Sequence, residues 1–239
     1  ILHEQSLVNI EDTIVPLSEV FRLQGAEELA LAERKYLIEG NGHVNAIVLA
    51  ASQGNELTEL TADRPKCMLP IAGKPILERL VESLRRVSVR DIAVVAGYQA
   101  EAVQVPGIDV IHNPHYETTN ELASLGYAMN HLSDTTLVTY GDILLRQYIL
   151  NDLMERQGEI VVVVDSSLKD RIEGKDEDRV TCSLEDRRQV LPDEVVLRRF
   201  SPSVTEPCHG EWVGLMKVSG KGHDWMREAF DRLKKQSNF

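Results

Sequence analysis

The segment Arg64-Pro65-Lys66-Cys67-Met68-Leu69-Pro70 carries one lysine between two prolines. Each proline locks its own φ, so the ammonium of Lys66 rides on a stiffened loop and suits an anion ligand. A solvated surface lysine is the competing reading. Upstream, Leu49-Ala50-Ala51-Ser52-Gln53-Gly54-Asn55-Glu56-Leu57 is rich in small side chains. Small residues after a strand let a ligand approach the backbone, whose N–H groups can cradle phosphate; a plain tight turn is the alternative. Residues 61–90 hold seven basic and three acidic side chains, a local net of +4, in a chain with 26 basic and 38 acidic residues and a net of −12. Asp142 follows Gly141 at the end of the apolar run 136–140. A carboxylate there, with glycine allowing close approach, suits Mg²⁺, and a helix N-cap for residue 143 onward is the other possibility. The implied chemistry is the handling of phosphorylated anions. The 49–57 loop matches neither G-x-G-x-x-G nor the P-loop G-x-x-x-x-G-K-[ST], which disfavours dinucleotide and kinase readings.

Those side chains need a scaffold. The chain has 239 residues, 43% hydrophobic and 27% charged, enough for one large domain or a medium domain with an appendage. No apolar run approaches the roughly 18 residues of a membrane span, so no membrane role is expected. The acidic balance argues against nucleic acid as a partner. Cys67, Cys182 and Cys208 lie far apart without C-x-x-C spacing, which fits a reducing cytoplasm. The chain opens Ile1-Leu2-His3-Glu4 with neither Met nor a signal-like stretch, and is expected to be a piece excised from a longer polypeptide.

Residues 1–42 carry eight acidic and three basic side chains. Helices are expected over 18–23 and 26–37, with Gly25 between them and Gly40-Asn41-Gly42 as a linker. Residues 43–239 form the main domain. Strands are expected over 44–50, 92–96, 110–112, 136–140, 160–164, 180–183, 195–200 and 212–218, those at 92–96 and 110–112 buried. A helix starting at Pro75 carries Ile76, Leu77, Leu80, Val81, Leu84 and Val87 at helical spacing. Another covers 120–132, and a closing helix over 224–233 turns Trp225, Met226, Ala229, Phe230 and Leu233 inward. Alternating β and α elements with short apolar strands predict an α/β fold, a mostly parallel Rossmann-like sheet with helices on both faces. Ligands in such folds bind beyond the carboxyl ends of the strands, where Lys66 and Asp142 fall.

Ala46-Ile47-Val48-Leu49-Ala50-Ala51, Pro65-Lys66 with Leu69-Pro70, and Gly73-Lys74-Pro75-Ile76-Leu77 resemble the amino-terminal signature of nucleotidyltransferases. Val95-Ala96-Gly97-Tyr98, Asn113-Pro114 with Tyr116, Asn120 and Ser124, Gly141-Asp142 and Glu211-Trp212-Val213-Gly214 extend the resemblance over essentially all of 43–239. The set is most similar to cytidylyltransferases that use CTP with phosphocholine or 2-aminoethylphosphonate. Residues 14–37, including Ile14-Val15-Pro16-Leu17 and Glu33-Arg34-Lys35-Tyr36-Leu37, resemble the carboxyl-terminal tail of phosphoenolpyruvate mutases, which implies a mutase domain fused upstream. Two positions depart from the family: Ser52 stands where glycine is usual and Glu56 where a basic residue is usual. Arg64 or Lys74 then replaces the missing charge, or Glu56 turns to solvent, or triphosphate binding is impaired.

The resemblance implies transfer of CMP from CTP to a small phosphonate, with release of pyrophosphate. It assigns Lys66 to the α-phosphoryl group and Asp142 with Glu211 to Mg²⁺; an exposed strand-end glutamate is the alternative for Glu211. Nucleotide binding falls to Leu49, Ala50, Ala51, Ser52, Gly54, Lys66, Asn120 and Ser124, with helix capping as the alternative for Asn120 and Ser124. Tyr116 and Trp212 are candidate walls of the acceptor pocket. Asp165 is a candidate partner for an ammonium group, or else a turn-initiating residue. Aromatic residues are 5% of the chain, too few for a choline cage, which favours a phosphonate acceptor. A sugar-phosphate or phosphocholine nucleotidyltransferase and a catalytically impaired nucleotide-binding domain are the competing functions.

Overall fold

The computed structural model describes residues 7–10, 13–16, 43–54, 57, 59–167, 178–185, 195–200 and 206–236. The chain divides into two compact units, Ile1–His43 and Val44–Phe239. In the first, β1 (Leu7–Ile10) and β2 (Thr13–Pro16) form an antiparallel hairpin with Ile10 opposite Thr13. This hairpin was not expected from sequence, because its two-residue connection, Glu11-Asp12, lacks the glycine or asparagine that marks tight hairpins. The helices expected over 18–23 and 26–37 lie outside the described residues.

The second unit begins with β3 (Val44–Ala50) and a loop ending in the miniature hairpin β4 (Pro70–Ile71) and β5 (Lys74–Pro75). There follow α1 (Ile76–Arg86), β6 (Asp91–Ala96), β7 (Asp109–His112), α2 (Glu121–Tyr127), β8 (Thr135–Tyr140), α3 (Gln147–Glu155) and β9 (Ile160–Asp165). β10 (Arg179–Cys182), β11 (Leu197–Phe200), β12 (Gly210–Ser219) and α4 (Lys221–Gln236) complete it. The strand order is β11-β10-β12-β8-β3-β6-β7, with β9 also paired to β12. β8, β3, β6 and β7 are parallel. β12 runs antiparallel to β8, β9 and β10. The α/β fold class therefore holds, with a parallel block extended by an antiparallel wing.

Alternation along β3 divides the core. Ala46, Val48 and Ala50 pack with Leu77, Leu80, Val81 and Leu84 of α1 and Leu150 and Leu153 of α3. Ile47 packs the other way, with Val95, Val138, Leu125 and Ala128. Successive strand residues face opposite sides, so a continuous apolar run marks a strand covered on both. The polar interruptions have partners. Buried Asn45 donates to the carbonyl of His131 and accepts from Ser133 Oγ at 2.9 Å. Buried Lys217 of β12 donates to the carbonyls of Met154, at 3.0 Å, and Arg156, capping the end of α3.

Some expected details are corrected. β7 is an edge strand with Val110 exposed, not a buried strand. Pro75 is the N-cap of α1 rather than its first helical residue. α2 ends at Tyr127 and a separate turn covers Met129–His131. Trp225 of α4 is 52% exposed, whereas Phe230 is buried. α3 was anticipated only through the alternative reading of Asp142 as the cap of a helix from residue 143 onward. It starts at Gln147 with Arg146 as N-cap, so Asp142 does not cap a helix. Among the described residues, no helix is long and apolar enough to cross a membrane.

Leu77 is fully buried under β3. Leu77→Ala is expected to lower unfolding free energy by about 2–5 kcal/mol, read from urea denaturation.

Candidate active site

Four strand ends, those of β8, β3, β6 and β7, are tied together by the backbone. Gly141 N–H donates to Leu49 O at 2.8 Å, Tyr98 N–H to Ala51 O at 2.9 Å, and Asn113 N–H to Ala96 O at 2.8 Å. Lys66 opens a single 3₁₀ turn, Lys66–Met68, behind Pro65. Its Nζ lies 2.7 Å from Asp142 Oδ2, with the two side chains 33% and 29% exposed. Gly54 has φ +80, and a Cβ there would lie 3.0 Å from Lys66 Cδ. Only glycine accepts that conformation without strain, so the small-residue loop packs directly on the lysine stem. Lys66, Gly54, Ala50, Ala51 and Asp142 are thus brought to one place, with Leu49 bonded to the same Gly141 turn and Ser52 exposed within the loop.

Four other basic side chains nearby are engaged. Arg64 makes two 2.8 Å bonds to Asp63 and holds that carboxyl below the usual carboxylate range. Lys74 bonds Glu82 at 2.6 Å and holds it low in the same way. Arg79 donates to the carbonyls of Ile71 and Ala72, and Arg85 to those of Pro106 and Gly107. Both replacements considered for the missing loop charge, Arg64 and Lys74, therefore have carboxylate partners. Glu56 lies outside the described residues.

On the β6–β7 side, Tyr116 meets Tyr98 edge-on at 6.2 Å, and its hydroxyl donates to Glu117 at 3.1 Å. Partial burial, then that carboxylate, raise the Tyr116 phenol pKa. Asn120 Oδ1 accepts Ala123 N–H at 3.1 Å, capping α2. Ser124 is 4% exposed and accepts from Asn113 Nδ2 at 3.0 Å.

On the wing side, Glu211 of β12 is the register partner of Asp165 and of Arg179. Asp165 Oδ1 accepts from Ser167 N–H at 2.8 Å and Ser167 Oγ at 2.6 Å, so it does form a turn. The Trp212 ring lies 5.4 Å from Tyr140 and 5.9 Å from Phe200, and its N–H donates to Leu215 O. Tyr140 directly precedes Gly141-Asp142, so this aromatic contact ties the Glu211-Trp212 segment to the strand bearing Asp142. Gly214, at φ +75 within the register shift of β12, leaves room for the Tyr140 ring. Tyr116 and Trp212 do not share a wall. β8 and β3 intervene between β12 and β6, about 14 Å of sheet at ~4.8 Å per strand.

Residues 46–208 match the MobA-like NTP transferase domain. The chain belongs to that family. It is 31% identical over 135 residues to the CTP:phosphoglutamine cytidylyltransferase of Campylobacter jejuni, covering 52% of this chain and 53% of that protein. It is 35% identical over 118 residues to the CMP-5'-(3-aminopropyl)phosphonate synthase of Streptomyces rubellomurinus, covering 46% of this chain and 19% of that protein. The chain thus spans about half the length of the first relative and about a fifth of the second. The CTP:phosphocholine cytidylyltransferase of Streptococcus pneumoniae shares the fold, with a TM-score of 0.56 at 20% identity over 81% of this chain and 78% of that one. The chain thus carries an NTP transferase domain and has cytidylyltransferases among its relatives.

In this NTP transferase domain, Cys67, Asn113 and Tyr140 take part in the site's construction without having been singled out as site residues. Their signal was position: Cys67 adjoins Lys66, Asn113 directly follows β7, and Tyr140 ends β8. Cys67 is buried behind Lys66, and burial, then the Asp142 charge, push its thiol up to about 12. A thiol held so high is unreactive at neutral pH. At pH 8, iodoacetamide is expected to leave Cys67 unlabelled in the folded protein and to label it in urea, read by peptide mass spectrometry.

Proposed function

We propose that this nucleotidyltransferase transfers CMP from CTP to a small phosphonate such as 2-aminoethylphosphonate. The observation that carries the reading is the Lys66–Asp142 pair, 2.7 Å apart beside the 50–54 loop at the carboxyl ends of β3 and β8. The phosphonate relative supports the acceptor class.

In the proposed reaction an oxygen of the acceptor attacks the α-phosphorus, the bond to the β-phosphate oxygen breaks, and pyrophosphate leaves. A phosphate monoester's second pKa is about 6, so such a nucleophile is largely ionised near neutrality and needs no general base. The difficulty is gathering two polyanions, which positioning and positive charge overcome. The backbone of Leu49, Ala50, Ala51, Ser52 and Gly54 would line the triphosphate and ribose, and Lys66 would face the α-phosphoryl oxygens. Asn120 and Ser124 would address the base. Trp212 and Asp165, on the wing side, would border the acceptor, and Tyr116 sits with the nucleoside side instead.

Among the described residues no three His, Cys, Asp or Glu side chains form a metal cluster. Asp142 and Glu211 nevertheless offer the hard oxygen donors that Mg²⁺ takes, typically one or two carboxylates completed by substrate phosphates and water. Bound there, the ion would neutralise charge on the reacting phosphoryl groups. Residues 1–42 would be the tail of a fused mutase domain, placing the enzyme downstream of C–P bond formation in the cytoplasm.

Pyrophosphate release is to be measured with each of the four NTPs against 2-aminoethylphosphonate, phosphocholine and hexose 1-phosphates. CTP with the phosphonate is the expected pair. UTP or dTTP with a hexose phosphate would overturn the assignment, and no release with any pair would favour an impaired nucleotide-binding domain. Lys66→Ala should lower turnover about 10²–10³-fold with an unchanged circular dichroism spectrum, and near-normal activity would remove Lys66 from the mechanism.

A further inference from the structure

Tyr98 reaches two parts of the chain that are far apart in sequence. Its backbone N–H donates to Ala51 O at 2.9 Å, just beyond the end of β3. Its hydroxyl donates to Ala62 O at 3.0 Å, four residues before Lys66. A carbonyl oxygen can only accept, so the direction of both bonds is fixed. Between these two polar ends the side chain is a rigid ring with only two torsions, and Tyr116 meets that ring edge-on at 6.2 Å. The preceding Gly97 allows the close approach, since a Cβ there would lie 2.8 Å from Ala51 O and 2.4 Å from Tyr116 Cβ. Tyr98 is thus a strut from the exit of β3 to the chain leading into Lys66.

The turn Lys66–Met68 is anchored downstream by Cys67, buried in the core, and by Ile76 N–H, which donates to Leu69 O at 3.1 Å. Upstream, Pro65 is buried but has no N–H to give, and packing alone sets no direction. The hydroxyl bond to Ala62 supplies a directed upstream tie. It links the turn to the same Ala51 segment that leads to Gly54, on which the lysine stem packs.

We propose that Tyr98 is a positioning residue for Lys66: bonded to Ala51 and Ala62 at once, it fixes the turn that carries the ammonium against the Ala50–Gly54 backbone. This deepens the reading of Lys66 as the residue that meets the α-phosphoryl group, and rests on it for the effect on turnover. The phenol acts through the loop, and no contact with the reacting atoms is required of it.

The test is Tyr98→Phe, alone and in the Lys66→Ala background. The variant removes one oxygen and keeps both the ring and the bond to Ala51, and circular dichroism checks its folding. The first readout needs no substrate: the rate at which iodoacetamide labels Cys67 at pH 8, by peptide mass spectrometry, with Cys182 and Cys208 as internal references. Cys67 is 2% exposed and lies in the Lys66 turn, so it is labelled only as that turn opens. One hydrogen bond of ordinary net strength changes such an opening equilibrium about fivefold. Cys67 labelling should therefore rise about three- to tenfold, and that of Cys182 and Cys208 less than about twofold. The second readout is nucleotidyl transfer with the NTP and acceptor that the wild type prefers. There kcat should fall about three- to tenfold with KM changed less than about twofold, the pattern of an interaction made in the transition state. In the Lys66→Ala background the same substitution should cost less than about twofold. Unchanged Cys67 labelling, a rise shared by all three cysteines, a change confined to KM, or an undiminished loss in Lys66→Ala overturns the proposal and leaves the functional reading intact. A wild type that transfers with no pair, or a Lys66→Ala variant as active as wild type, sinks the functional reading and the effect on turnover with it; labelling then decides whether Tyr98 holds the turn.

Discussion

The ammonium of Lys66 and the carboxylate of Asp142 meet at 2.7 Å, although they lie on widely separated parts of the chain. Both are about a third exposed, so the pair contributes little to stability, of the order of 0–1 kcal/mol. Its significance is positional. The contact exists because β3 and β8 are adjacent, parallel and in register, so that both chains leave the sheet at the same level. Gly141 bonds back to Leu49, and the lysine stem lies on Gly54. The ammonium is thereby held on Asp142 beside the strand ends.

The other basic residues near that pair mark how differently charge behaves in sequence and in space. A local net of +4 over residues 61–90 suggests a broad cationic surface. In the folded chain Arg64 and Lys74 face carboxylates, while Arg79 and Arg85 hold loop carbonyls. These arginines and Lys74 brace the loop and helix that flank Lys66. A field that looked diffuse resolves into separate cations, with Lys66 held on Asp142 at the strand ends and Arg64, Lys74, Arg79 and Arg85 bonded elsewhere.

The sheet's two characters organise the rest. Parallel β8, β3, β6 and β7 make a block with both faces covered, and their ends form the nucleotide side of the proposed site. The antiparallel wing sets Trp212 against Tyr140 of β8, while Glu211 beside it pairs with β9 and β10. Tyr116 and Trp212, the two candidate walls of the acceptor pocket, fall on opposite flanks because β8, β3 and β6 lie between β12 and β7.

Much of this was legible in the residues themselves. The apolar run of β3, the helical spacing of α1 and the glycine–aspartate step after β8 are local patterns, and local patterns report burial and periodicity directly. The family motifs likewise picked out Lys66, Asp142 and the small-residue loop. Neighbour relations were not legible. β7 has the apolar residues of a buried strand yet lies at an edge, and Trp225 fits a helical stripe yet faces outward. Asn113 gave no sign of how its carboxamide would be oriented. Sequence determined which segments were amphipathic and which side chains could carry charge, because those properties belong to single elements. Tertiary structure alone decided which strands adjoin, which cations are already paired and which way each buried hydrogen bond runs, because each of these depends on a partner remote along the chain.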